Sequence, residues 1–155
     1  MIGVGNELRG DDAVGLQVAR SVRERFPTQC KVVEEAGDGA RLMELWKTSH
    51  ATILVDAVAS GGKAGKIHRH EAHNSPLPAS MFRYSTHIFG VSHAIELARA
   101  MNQLPLRLIV YGIEGKCFNE RSGMSVLVEQ AALRVVESIG LDIGKYQPLT
   151  STKLR

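Results

Sequence analysis

The chain has 155 residues, 44% hydrophobic and 5% aromatic, and its 19 basic and 16 acidic residues leave a formal charge of +3. That length fits one domain, expected over residues 1–143 with a polar tail at 144–155. The near-balanced charge and few aromatic residues argue against a nucleic-acid surface. No apolar run approaches the roughly 20 residues of a membrane span, no secretion signal opens the chain, and the isolated Cys30 and Cys117 fit a reducing compartment. The expectation is a cytoplasmic monomer that binds neither nucleic acid nor membrane.

Short apolar runs alternate with amphipathic stretches, which predicts an α/β fold with a mainly parallel sheet covered by helices on both faces. Residues 1–5 read as a first short strand. Residues 11–26 read as a helix with Gly15, Val18, Ala19, Val22 and Phe26 on its core stripe, ended by Pro27. A second strand follows at 30–35, then a helix at 40–50 with Leu42, Leu45 and Trp46 inward. Residues 51–58 form a continuous apolar strand of the kind buried on both faces, with Asp56 near its carboxyl end. A turn-rich loop at 60–65 leads to an edge strand at 66–70, where Lys and His blunt the edge. His68, His70 and His73 make a His-x-His-x-x-His run. Its neighbours Lys63, Lys66 and Arg69 are basic, which favours a solvated edge over a metal site. Residues 71–84, with Pro76 and Pro78, are a long irregular connection of the kind that often carries function. A helix at 85–101 capped by Ser85 or Thr86, a buried strand at 106–113 and a helix at 124–139 complete the domain.

The glycine-rich turn at Gly3 and Gly5 resembles the first half of a dinucleotide fingerprint, but the second half fails. Leu8 stands at the third glycine position, and Asp11 and Asp12 place negative charge where a pyrophosphate would lie. Asp11 reads as the helix N-cap; Asp12, one position further in, is not needed for capping. Ligands of open α/β sheets collect outside the carboxyl ends of the parallel strands, so Asp12, Asp56 and Glu114 should meet along one rim. His87 can join them, since the connection before it extends at ~3.3 Å per residue. Two carboxylates and an imidazole suit a borderline divalent metal such as nickel or zinc. The same residues also have blander readings, as a strand-end Asp satisfied by loop N–H groups and a His that caps or packs. The chain has no Gly-x-Ser-x-Gly elbow and no His-Glu-x-x-His. Asp12 and Asp56 are therefore candidates either for general acid–base work or for reading a metal.

Taken in order, Gly3-x-Gly5-Asn6-x-Leu8-x-x-Asp11-Asp12-x-x-Gly15, the strand ending Val55-Asp56-Ala57, and Ser85-x-His87-x-x-Gly90 resemble the hydrogenase maturation endopeptidases. Members of that family trim the C-terminal extension from nickel-iron hydrogenase large subunits. The resemblance implies a three-layer α/β/α fold with a twisted, mostly parallel five-stranded sheet that has one antiparallel strand. It carries a metal-binding trio onto Asp12, Asp56 and His87, with Asp12 and Asp56 as catalytic candidates. The cofactor it implies is nickel presented by the substrate, and the partner is the large-subunit precursor, cut after nickel insertion. The family often has Glu at the place of Asp12. Its Asp-Gly-Gly-Thr stretch corresponds here to Glu35-Ala36-Gly37-Asp38-Gly39, which makes Glu35, Gly37 and Asp38 candidate substrate contacts. The competing expectation is a non-hydrolytic nickel-binding chaperone or scaffold of hydrogenase assembly.

Overall fold

The computed structural model describes residues 1–81 and 89–146. In chain order these form β1 (Ile2–Val4), a 3-10 turn (Gly10–Ala13) running into α1 (Val14–Arg25), β2 (Val33–Glu35), α2 (Gly39–Trp46), β3 (Ala51–Val58), β4 (Ile67–Glu71), α3 (Val91–Ala100), β5 (Arg107–Glu114) and α4 (Val126–Tyr146). The five strands make one sheet in the order β2-β1-β3-β5-β4. Every pairing is parallel except that of the edge strand β4 with β5. β3 and β5 pair along their whole length, from Ala51 opposite Arg107 to Val58 opposite Glu114. Being covered on both sides, they read as near-continuous apolar runs rather than alternating ones.

Helices cover both faces, giving the three layers that the sequence implies. On one face Val14, Val18 and Val22 of α1, with Val128, Val135 and Ile139 of α4, pack on Ile53, Val55, Ile109 and Tyr111. On the other, Leu42 and Trp46 of α2, with Ala94, Ile95 and Ala98 of α3, pack on Leu54, Val58, Leu108 and Val110. A fully buried aliphatic or aromatic side chain contributes ~1.5–3 kcal/mol over its exposed state. These two seams therefore hold α1, α2 and α3, which are too short to persist alone. No helix among the described residues is long and apolar enough to cross a membrane.

α3 has Gly90 at its N-cap, and Ser85 and Thr86, read as candidate caps of a helix from residue 85, lie outside the described residues; four further differences from the sequence reading stand out. The second helix ends at Trp46 rather than at residue 50. The last helix runs on to Tyr146 instead of stopping at 139. Gly140 within it is a packing position: a Cβ there would stand 2.6 Å from the Phe26 ring. Past it, Asp142 is buried against the sheet. Arg69 donates to both its oxygens (Nη2 3.0 Å, Nε 3.2 Å), and the Tyr111 hydroxyl donates to Oδ2 at 2.7 Å. Burial alone would raise the Asp142 carboxyl, but these hydrogen bonds outweigh it and hold the group below its ordinary value.

The third difference is Asp11, which caps no helix: position Ala13 precedes α1 and makes no side-chain cap bond. The carboxylate instead turns inward, fully buried, to a loop more than a hundred residues away. The fourth is the histidine run, whose first two members lie on the edge strand β4 as read, but whose rings are paired rather than free in solvent. His68 Nε2 meets Glu114 Oε1 at 2.9 Å, His70 Nε2 meets the Ser75 carbonyl at 3.0 Å, and the Leu108 N–H donates to His73 Nδ1 at 3.2 Å.

Candidate active site

Close backbone approach places Asp12. A Cβ on Gly15 would lie 2.1 Å from the Val4 carbonyl oxygen and 2.5 Å from that of Val55, so only glycine lets the start of α1 rest directly on β1 and β3. The 3-10 turn just before it then falls at the carboxyl ends of these strands, and Asp12 comes within electrostatic reach of Asp56 near the end of β3. Both residues are half-buried.

Desolvation raises the Asp56 carboxyl most, the charge of Asp12 raises it further, and a hydrogen bond from the Ala57 backbone opposes them. The net result lies well above the ordinary carboxylate range. Asp12 and Asp56 thus form a pair in which one member favours its neutral form, the situation that separates acid and base roles between two like groups.

His87 falls within residues 82–88, outside the described residues. Among the described residues, no three His, Cys, Asp or Glu side chains come together to hold a metal ion. The residues flanking 82–88 both belong to the face on which Asp56 lies. Met81 is buried with its Cε beside Gly112, the register partner of Asp56. Phe89 packs on Gly39 and accepts its N–H at 3.0 Å.

Glu114 reaches the same rim but points inward, fully buried. It accepts hydrogen bonds from the Ser60 hydroxyl and, at 3.1 Å, from the Ser60 N–H, and it pairs with His68. Its work is to fasten the β3–β4 loop over the end of the sheet. Strand alternation holds the clue to the His68 partnership, because His68 lies opposite Gly112, two positions before Glu114 on the same side of β5.

Asp11 fastens the other side of the rim. Its Oδ2 accepts from Lys116 N (2.7 Å), Cys117 N (2.9 Å) and Ser125 Oγ (2.8 Å), and its Oδ1 from Ser125 N (2.6 Å). Burial raises this carboxyl, the Cys117, Ser125 and Lys116 bonds lower it, and the net shift is downward. Nothing local in the sequence announces that role, since every partner is remote.

The segment expected to touch substrate borders the site and also has local work. Glu35 Oε1 accepts from Ala36 N at 2.9 Å, and Asp38 caps α2 by accepting from Arg41 N at 2.8 Å. Gly37 is buried with φ +100°, a left-handed conformation that favours glycine. Between them Ala36 forms one wall of a cleft of about 450 Å³ that runs past Asp12, walled elsewhere by Gly5, Asn6, Glu7, Leu8, Arg9 and Leu16.

The family model for hydrogenase maturation proteases (HycI) matches residues 16–140, most of the chain. The chain belongs to the hydrogenase maturation protease family. It is accordingly an endopeptidase of the class that trims the C-terminal extension of hydrogenase large subunits, and the non-hydrolytic scaffold is not favoured. The motif carrying Asp12 lies just ahead of the matched stretch.

No curated protein sequence matches this maturation protease. Solved structures match its fold. The hydrogenase maturating endopeptidase HybD of E. coli is 20% identical with a TM-score of 0.74, covering 93% of this chain and 90% of that one. A solution structure of an E. coli endopeptidase reaches a TM-score of 0.79 at 20% identity over the same shares. The [NiFe] hydrogenase maturation protease HycI of Thermococcus kodakarensis is 24% identical with a TM-score of 0.65, again covering 93% and 90%.

Proposed function

We propose that this protease removes the C-terminal extension of a nickel-iron hydrogenase large-subunit precursor after nickel insertion, and that Asp12 and Asp56 are its working carboxylates. The observation that carries the reading is the pairing of these two acids at the carboxyl ends of β1 and β3, with Asp12 opening on the cleft. Water adding to the scissile carbonyl gives a proton to Asp12, the carboxylate on the cleft wall. Asp56 supplies the proton that the leaving amide nitrogen needs, and the products are a new C-terminus and a free amine.

The nickel belongs to the substrate. A precursor that presents a cation to this rim gains an attraction that a nickel-free precursor lacks, so the charge that serves the chemistry also selects the finished substrate. His87 joins the two acids in this role by the family resemblance. Glu35, Gly37 and Asp38, beside the same cleft, contact the precursor and set which one is taken. Free Cys30 and Cys117 agree with work in the reducing cytoplasm.

The test is intact-mass analysis of nickel-loaded precursor incubated with the wild type, Asp12→Asn or Asp56→Asn. The wild type should shorten the precursor, and each variant should lose at least a hundredfold in rate while melting within a few degrees of the wild type. Full processing by Asp56→Asn would remove that carboxylate from the mechanism.

A further inference from the structure

We propose that Leu8 is a specificity-determining residue, an apolar anchor for an aliphatic side chain of the precursor segment next to the scissile bond; this rests on the protease reading above. Leu8 is 68% exposed yet stands on a loop whose backbone is fixed. Its N–H donates to Asn6 Oδ1 at 2.9 Å, and its carbonyl accepts the Arg121 N–H at 2.7 Å. On either side, Arg9 N–H donates to the Asn6 carbonyl (3.2 Å) and Asp12 N–H to the Arg9 carbonyl (3.0 Å). The loop therefore holds the Cα of Leu8 in one place.

Single exposed leucines are common on protein surfaces, so exposure alone decides nothing. Leu8 differs in its location. Among the described residues, the other large exposed apolar side chains, such as Leu97, Leu106, Leu133 and Leu141, stand on α3, just before β5 or on α4, and none walls the cleft that contains Asp12. Within that cleft Leu16 adds a second apolar side chain to the lining. Leu8 and Leu16 offer an aliphatic side chain an apolar contact on one part of the wall, while Asn6, Glu7, Arg9 and Asp12 make the rest of the lining polar. The occupant is a polypeptide because the cleft runs to the carboxylate that activates water on a peptide bond. Because the loop backbone is already held, docking does not have to order it, and more of the Leu8 contact goes to affinity.

The test measures kcat and KM for cleavage of nickel-loaded precursor by the wild type, Leu8→Ala and Leu8→Met, with melting curves for all three. Leu8→Ala should raise KM about tenfold, roughly what losing a leucine side chain's apolar contact implies. kcat should stay within about twofold and the melting temperature unchanged, as for an exposed truncation. Leu8→Met, similar in volume and apolar, should restore KM to near the wild-type value. An unchanged KM in Leu8→Ala overturns the inference, as does a fall in kcat at constant KM or a melting temperature that drops with the KM rise. Wild-type protein that leaves the precursor intact overturns the protease reading with it, whereas an active wild type matched by Leu8→Ala overturns this inference alone.

Discussion

Replacing Asp11 with Asn separates a helix cap from a buried loop anchor by the size of its effect. Three donors converge on Oδ2, namely Lys116 N, Cys117 N and Ser125 Oγ, while Ser125 N alone addresses Oδ1. An Asn side chain keeps the larger set by placing its carbonyl oxygen at the Oδ2 position. Its NH2 must then face the Ser125 N–H, donor against donor, in a fully buried site. Losing that bond and leaving donors unsatisfied costs ~1–3 kcal/mol. Removing the charge from the three remaining bonds weakens each, since charge-assisted bonds are about twice as strong as neutral ones, and adds ~1–2 kcal/mol.

The expected total is about 3 kcal/mol, or roughly 10 °C in melting temperature for a domain of this size. Urea denaturation followed by circular dichroism measures it directly. As an N-cap, Asn would be nearly equivalent to Asp and would change stability by only a few tenths of a kcal/mol. A loss below about 0.5 kcal/mol would therefore refute the anchor role drawn from this geometry.

Asp142, held below its ordinary value in the fold, contributes stability that is complete above the unfolded pKa of ~3.9 and is lost as the pH falls through the lower folded value. The melting-temperature gap between the wild type and Asp142→Asn should accordingly be wide at pH 7 and shrink below about pH 3; a gap independent of pH would show that the Arg69–Asp142 contact contributes no charge-dependent stability. Exchanging residues 35–41 for those of a relative with a different precursor should move the ratio of kcat/KM between two precursors more than it changes the kcat of either. Equal scaling of both precursors would take substrate choice away from this segment.

The sheet was legible in the sequence because its central strands have the least freedom to be anything else. Residues 51–58 and 106–113 are mostly apolar on both sides, and a strand buried on both faces requires that. Asp56 stood out for the same reason, as a carboxylate in an otherwise apolar run. Hydrophobic periodicity, however, carries no information about which loop a buried polar group will reach. Asp11 read as a cap because its neighbours looked like a helix start, yet its partners lie at 116–125. The last helix was read only to residue 139, whereas it continues through Gly140, where the Phe26 ring from α1's end occupies the space of a side chain. His68 read as solvated because only the antiparallel register with β5 brings it to Glu114. In each case tertiary contact, not local propensity, decided the residue's role.

The central claim is that the rim formed by Asp12 and Asp56 acts on a precursor that already carries nickel. It is tested most directly by incubating the wild-type protein with nickel-loaded and nickel-free large-subunit precursor side by side and following intact mass over time. The account predicts loss of the C-terminal extension from the loaded precursor and none from the nickel-free one. Cleavage of both at the same rate would contradict it.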